Sequence, residues 1–274
     1  MPHIYALVNQ KGGVGKTTTA VNVGAFLAAR GQRTLLIDVD PQANATSSLG
    51  FDKHQSVSST YEVLVADLPL RQIVQLTRRV RLDLAPSSPQ LAGAEIELVE
   101  MPDREKRLRH ALADILPNYD YILIDCPPSL GLLTVNALTA AQGVLIPVQC
   151  EYLALEGLSQ LMNTIQLVRR GLNPGLVVRG LVLTMYDSRM RLAQQVVTEV
   201  QSHFGEQVFG TLVPRSVRLG EAPSYGESIL SYAPASSGGV AYAQLTDELL
   251  AGDRLMSERL NAVVQKSTQR TQPT

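Results

Sequence analysis

The chain has 274 residues, 45% of them hydrophobic, and a formal net charge of −1, so it can bury one large α/β core and is not basic overall. Two cysteines, Cys126 and Cys150, are too few and too far apart for a disulfide framework or a zinc site, and are expected to pack as small hydrophobes. Met1 leads directly into an apolar stretch with no basic segment before it, so no secretory signal and a cytoplasmic location are expected.

Ile4 to Val8 reads as a buried strand, and Ala20, Val23, Phe26 and Leu27 have helical spacing. Between them stands Gln10-Lys11-Gly12-Gly13-Val14-Gly15-Lys16-Thr17-Thr18. A strand, a glycine-rich turn and a helix N-terminus in that order make an anion site. Backbone N–H groups and the positive end of the helix dipole converge, and the glycines let the backbone approach a phosphate closely. Lys16 supplies a charge that reaches the β- and γ-phosphates, and the Thr17 hydroxyl is placed to ligate their magnesium ion. The ordinary nucleotide loop asks for glycine where this chain has Gln10. A second lysine, Lys11, stands directly before the paired glycines instead, which marks the deviant phosphate loops.

Further along, Leu35-Leu36-Ile37-Asp38-Val39-Asp40-Pro41 is a buried strand that delivers two carboxylates to the carboxyl edge of a sheet, where α/β proteins bind ligands. Tyr121-Ile122-Leu123-Ile124-Asp125 repeats the pattern, and an aspartate there can hold a magnesium shell from the side opposite Thr17. Residues 126–150 lack charge but are broken by Pro127, Pro128, Gly131 and Pro147, whereas a membrane span needs roughly 20 mostly apolar residues. This stretch divides better into a loop, a buried helix and a buried strand.

Apolar runs alternate with helical segments down the chain, the form of a doubly wound, mostly parallel sheet with helices on both faces. Strands are expected near 3–9, 33–39, 81–86, 119–125, 144–149, 178–185 and 208–213, and helices near 16–30, 89–99, 103–116, 130–141, 153–170, 189–204 and 241–265. One domain is expected over 1–265, with a surface loop at the Ser-rich 55–60 and a disordered polar tail at 266–274. Arginine outnumbers lysine 19 to 5. Arg169, Arg170, Arg179, Arg189, Arg191, Arg215 and Arg218 face only three acids in the same stretch, Asp187, Glu199 and Glu206. Arginine forks suit phosphate oxygens and carry no sequence information, so non-specific binding to double-stranded DNA is expected of such a patch.

The chain resembles the ParA/Soj branch of the ParA–MinD ATPases, deviant Walker A P-loop proteins that partition bacterial chromosomes and plasmids. The resemblance runs to about residue 245 and rests on Asn9 to Thr19, Asp38 to Gly50, Asp125 to Ser129, Leu183 to Arg189 and Pro214 to Gly226. It implies a P-loop ATPase with ATP and Mg2+ as cofactors and a weak intrinsic activity. Lys11 corresponds to the lysine that crosses into the partner subunit's ATP in a nucleotide-sandwich homodimer. Gly12, Gly13, Val14, Gly15, Lys16, Thr17 and Thr18 cradle the phosphates, and Lys11, Lys16 and Asp40 form the catalytic set, with Asp40 positioning the attacking water. Thr17, Asp38 and Asp125 serve the magnesium site, Met185 and Pro214 flank adenine, and Arg189 and Arg218, with Arg191 as a further candidate, contact DNA. A ParB-type centromere-binding partner that stimulates hydrolysis is also implied, as is association with the nucleoid.

Other functions on such a fold fit less well. A MinD-like protein would hold a membrane through a basic amphipathic C-terminal helix, but Gln244–Gln265 carries a net charge of −2, with Leu245, Leu249, Met256, Leu260 and Val264 on one face expected to pack in the core. No stable membrane anchor is expected. A nitrogenase-type reductase needs a paired cysteine that Cys126 lacks, and nothing marks the substrate carboxylate site of an amide or carboxylate ligase.

Overall fold

The computed structural model describes residues 2–55, 58–151 and 154–270, with side chains undescribed at 154–156 and 259–270. Seven strands form one sheet: β1 (His3–Leu7), β2 (Thr34–Asp38), β3 (Gln75–Leu76), β4 (Leu82–Ala85), β5 (Tyr121–Asp125), β6 (Gly143–Gln149) and β7 (Val177–Thr184). Their spatial order is β3-β4-β2-β5-β1-β6-β7, parallel throughout except for β3. The helices are α1 (Lys16–Ala29), α2 (Asn44–Ser48), α3 (Thr60–Val65), α4 (Leu91–Glu97), α5 (Arg107–Leu112), α6 (Leu132–Ala140), α7 (Ala154–Gly171), α8 (Arg191–Phe204), α9 (Val217–Glu221), α10 (Ile229–Tyr232) and α11 (Ser237–Arg270).

Alternation along the strands divides the core into two layers. Ile4, Ala6, Leu35, Ile37, Ile122 and Ile124 pack with α3 to α8, while Tyr5, Leu7, Leu36, Leu82, Leu84 and Leu123 pack with α1, α10 and α11. β2 and β5 are buried at every position because helices cover both faces, which explains their uninterrupted apolar sequence. Each fully buried leucine or isoleucine here contributes about 1.5–3 kcal/mol. Cys126 and Cys150 are free and buried, as their sequence context suggests.

The strand expected at 208–213 does not form. Val208 and Pro214 make only isolated parallel bridges, to Leu181 and Tyr186. Between them the Gly210 and Thr211 N–H groups donate to the Glu248 carboxylate of α11 at 2.7 and 3.1 Å, so a side chain takes the donors that a ladder would have used. The helices expected at 89–99 and 103–116 are shorter, and the edge strand β3 and the helices α2, α3, α9 and α10 carry no clear periodicity in so few residues. In α11, Leu245 and Leu249 are buried but Met256 is exposed, so the apolar face leaves the core before Met256; the side chains of Leu260 and Val264 lie outside the described residues. The helix runs to Arg270, past the expected start of the tail, and residues 271–274 are outside the described residues, as are 56–57 of the expected Ser-rich loop.

One close approach fixes the region beyond β2. Gly226, at φ +65°, lies against Gly50, at φ +84°, and a Cβ on Gly226 would stand 2.6 Å from Gly50 Cα. This contact docks the segment after α9 onto the turn that ends α2. Gly226→Ala is expected to destabilise the chain by about 1–3 kcal/mol, read as a lower urea midpoint at unchanged slope.

Candidate nucleotide site

The glycine-rich loop leaves the end of the interior strand β1 and turns through Gly13 (φ +75°) and Gly15 (φ +90°) into α1. It is held from neighbouring strands. Asn9 Nδ2 donates to the Pro147 carbonyl of β6 at 2.7 Å, and Asn9 Oδ1 accepts the Lys11 N–H at 3.0 Å. From the end of β7, Thr184 Oγ1 donates to the Val14 carbonyl at 2.8 Å. No side chain caps α1, so its first N–H donors remain for an anion.

The two lysines differ in kind. Lys16 is only 6% exposed, and its Nζ donates to the Lys11 carbonyl at 3.2 Å. Burial pushes its ammonium down from the usual lysine range, while Asp125 foremost, with Cys126 and Asp40, pulls it back up. Lys11 is exposed, and its side chain makes no hydrogen bond or ion pair among the described residues.

Asp38 and Asp125 stand in register at the carboxyl ends of β2 and β5, both fully buried. Asp38 is satisfied locally: Oδ2 accepts the Thr46 N–H at 2.9 Å and the Thr46 hydroxyl at 2.8 Å, and Oδ1 accepts the Asp40 N–H at 3.1 Å. Burial raises its carboxyl to about 6 against the pull of those donors. Neither Asp125 oxygen has a hydrogen-bond partner of good geometry, although the Thr17 hydroxyl approaches. Burial and, next, the Asp38 charge push Asp125 well above the carboxylate range, opposed by Thr17 and Lys16. Asp40 is buried as well, and its Oδ1 accepts the Gln42 N–H at 2.9 Å.

A buried carboxylate with two bare acceptors beside a threonine hydroxyl and a buried lysine calls for a hydrated cation. Among the described residues no three His, Cys, Asp or Glu side chains converge on a metal position. That donor set suits magnesium, which takes one or two protein oxygens and fills its shell with water and phosphate. The residues fit the ion: Thr17 and Asp125 would hold it, with Asp38 in register beside Asp125 and accepting hydrogen bonds from Thr46 and Asp40.

Met185 and Pro214 come together at the end of β7. The Tyr186 N–H donates to the Val213 carbonyl at 3.0 Å, and the Arg215 N–H to the Tyr186 carbonyl at 3.0 Å. Met185 sits at φ +53°, a region that costs a side-chain-bearing residue energy and recurs at ligand sites. A cavity of about 700 Å3 lies elsewhere, at the amino edge of the sheet between His3, Tyr121 and α11, and no residue of the phosphate loop lines it.

Arg189 is 87% exposed on its side chain and pairs with Asp187 through bonds of 2.7 and 2.9 Å, which hold that carboxyl down at about 2. Arg218 pairs with Glu221 at 2.9 Å, and Arg191 opens α8 exposed. Arg179 is no part of a phosphate-facing surface: it is partly buried, with Nε 2.7 Å from Asp253 Oδ1, because α11 folds across the amino edge of the sheet. The sequence reading assigned no roles to Thr46, Ser87 and Thr184. Thr46 and Thr184 had a signal, as parts of the Asp38–Gly50 and Leu183–Arg189 blocks; Ser87 had none.

A phosphate loop opening a buried helix, with acids at the tips of neighbouring parallel strands, defines a P-loop α/β nucleotide-binding protein. Residues 2–178 match the AAA domain family. The sporulation initiation inhibitor protein Soj of Bacillus subtilis is 55% identical over 251 residues, 92% of this chain and 99% of that protein. The chromosome partitioning protein ParA of Myxococcus xanthus is 53% identical over 256 residues, 93% of this chain and 90% of that one. The crystal structure of cobyrinic acid a,c-diamide synthase from Mycobacterium smegmatis with bound ADP and magnesium superposes with a TM-score of 0.81 at 39% identity, covering 91% of this chain and 94% of that one. The chain belongs to the Soj/ParA family of chromosome-partitioning P-loop ATPases.

The buried acids set a pH dependence. The folded-state pKa values of Asp38 and Asp125 lie above the unfolded ones, so the folded chain holds these protons more tightly and loses stability as pH rises above about 4, the cost of ionising Asp38 being fully present above about 6. Asp125→Asn removes one charge. It is expected to raise the nucleotide-free melting temperature at pH 7, by about 2–4 °C per kcal/mol recovered, with the difference shrinking toward pH 4 in scanning calorimetry.

Proposed function

We propose that this chain binds ATP and Mg2+ in the loop 10–18 and that ATP brings two copies face to face, each lending Lys11 to the other's γ-phosphate. The observation that carries this reading is the contrast between the lysines: Lys16 is folded into its own site, while Lys11, five residues earlier in the same loop, is exposed and unpaired among the described residues. Phosphoryl transfer needs positive charge at the γ-phosphate and an in-line water, so a lysine supplied in trans makes hydrolysis conditional on dimerisation. Asp40, at the tip of β2, orients that water. Thr17 and Asp125, supported by Asp38, would hold a magnesium shell that offsets charge on the phosphates, and Met185 and Pro214 flank adenine.

In this reading the ATP dimer binds duplex DNA non-specifically through Arg189 and Arg218, joined by Arg191, and a ParB-type partner stimulates hydrolysis and releases it. The protein then resides on the nucleoid. Among the described residues no helix is long and apolar enough to cross a membrane. A MinD-like membrane role is disfavoured by the net charge of −2 over Gln244–Gln265 and by the burial of Leu245 and Leu249. The likeness to a diamide synthase, at 39%, is outweighed by 55% and 53% identity to Soj and ParA.

Lys11→Ala and Asp40→Ala are each expected to raise the hydrolysis barrier by about 3–4 kcal/mol, two to three orders of magnitude in kcat. By sedimentation with saturating ATP, Asp40→Ala should be dimeric and Lys11→Ala monomeric; a strictly monomeric Asp40→Ala would overturn the sandwich.

Binding to an unrelated duplex is expected with ATP and not with ADP, and to be lost in Arg189→Ala. If the dimer neutralises four phosphates, log affinity falls with log salt at a slope of about −3.6. A flat salt response, equal retention in all nucleotide conditions, or recruitment to anionic liposomes instead of duplex contradicts the DNA reading.

A further inference from the structure

Asp40 is fixed by a closed circuit of buried groups from four parts of the chain. Its N–H donates to Asp38 Oδ1 at 3.1 Å, and its carbonyl accepts the Ser87 hydroxyl at 2.7 Å, so the peptide groups on both sides of the residue are tied down. The Ser87 N–H donates to Thr46 Oγ1 at 2.9 Å, and that same hydroxyl donates onward to Asp38 Oδ2 at 2.8 Å. Thr60, at the start of α3, closes a second loop: its hydroxyl donates to the Asp38 carbonyl at 2.9 Å and its N–H to the Pro86 carbonyl at 2.9 Å. Thr46, Ser87, Thr60 and Asp38 are all fully buried.

Fully buried hydroxyls so placed have specific work. An unpaired one costs energy, so each is satisfied, and each has a single useful orientation. The Thr46 hydroxyl can donate only once. That proton is committed to Asp38, which leaves its lone pairs for the Ser87 N–H and fixes the direction of the circuit. The Ser87 hydroxyl in turn has one proton, and it goes to Asp40. Residues from α2 and from the end of β4 therefore converge on the peptide that aims the Asp40 carboxylate. Neither Ser87 nor Thr46 hydrogen-bonds to any residue of the phosphate loop among the described residues.

We infer that Ser87 and Thr46 are positioning residues for ATP hydrolysis: their hydroxyls hold the Asp40 loop in the geometry that orients the attacking water, without taking part in nucleotide binding. This rests on the reading of Asp40 as the hydrolytic aspartate. A carboxylate that must aim a water in line with a phosphorus atom tolerates little displacement, and a shift of about 1 Å costs on the order of a hundredfold in rate. Loss of the Ser87 hydroxyl frees the carbonyl of Asp40, and loss of the Thr46 hydroxyl removes one of the three hydrogen bonds to Asp38 and leaves the Ser87 N–H without its acceptor.

The test is single-turnover and steady-state ATP hydrolysis by the purified full chain. Ser87→Ala and the near-isosteric Thr46→Val are expected to lower kcat roughly ten- to a hundredfold, with KM for ATP essentially unchanged. Thr46→Ser, which keeps the hydroxyl, is expected to retain wild-type turnover. In an Asp40→Ala background, Ser87→Ala is expected to cause no further loss, because the group it positions is gone. A fall of the same factor in that background, a KM that rises in step with the loss of kcat, or a Thr46→Ser as slow as Thr46→Val overturns the inference. Should Thr46→Val fail to fold by circular dichroism, the Ser87–Asp40 cycle decides alone. A wild-type chain that hydrolyses no ATP, or an Asp40→Ala chain as fast as wild type, overturns instead the reading on which the inference rests.

Discussion

Two carboxylates, Asp38 and Asp125, are buried in register on adjacent strands, and the site is organised around the cost of that arrangement. Taking charge out of water is expensive unless partners replace the lost hydration. The fold resolves the pair asymmetrically. Asp38 receives three hydrogen bonds from Thr46 and Asp40 and becomes the anchor of the loop that follows β2. Asp125 receives none of good geometry and stays poised for an ion. The buried Lys16 beside them supplies the nearest opposite charge, and its ammonium is drawn down by the burial that pushes the acids up.

That tension is useful only if the surrounding backbone cannot relax it. The phosphate loop is tethered through Asn9 to β6 and through Thr184 to β7, so its shape depends on strands on the far side of β1 from the acids. On the near side, the circuit through Thr46, Ser87 and Thr60 ties the ends of β2 and β4 together. The phosphate loop and the loop that carries Asp40 are thus held by different halves of the sheet.

The opposite edge of the sheet is stabilised separately. Tyr5 and Tyr121 both donate to the buried Asp253 of α11, at 2.7 and 2.9 Å, and Arg179 completes the cluster. The tyrosine hydroxyls are pushed far above their usual range by burial and by that carboxylate, so they remain donors at any pH the fold survives. This cluster fastens the C-terminal helix across the amino edge of the sheet, where it covers the face that α1 also covers.

Much was legible in the residues themselves. The loop 10–18 and the strands ending in Asp38 and Asp125 were readable because a phosphate cradle and a doubly covered parallel strand each impose a local, contiguous pattern: glycines and lysines in one case, an unbroken apolar run with a terminal acid in the other. The family followed from those blocks. What remained was decided by groups distant in sequence. Glu248 reaches back to Gly210 and Thr211 and so prevents a strand that the composition of 208–213 invites. Asp253 withdraws Arg179 from a surface that charge counting would have given it. Asp38 and Asp125 look alike at the ends of their strands, and only the approach of Thr46 to one and not the other separates an anchor from an open acceptor. A linear pattern specifies which chemistry a strand delivers to the edge of the sheet; the partner of each buried polar atom is set by which loops fold over that edge, and no local pattern carries that information.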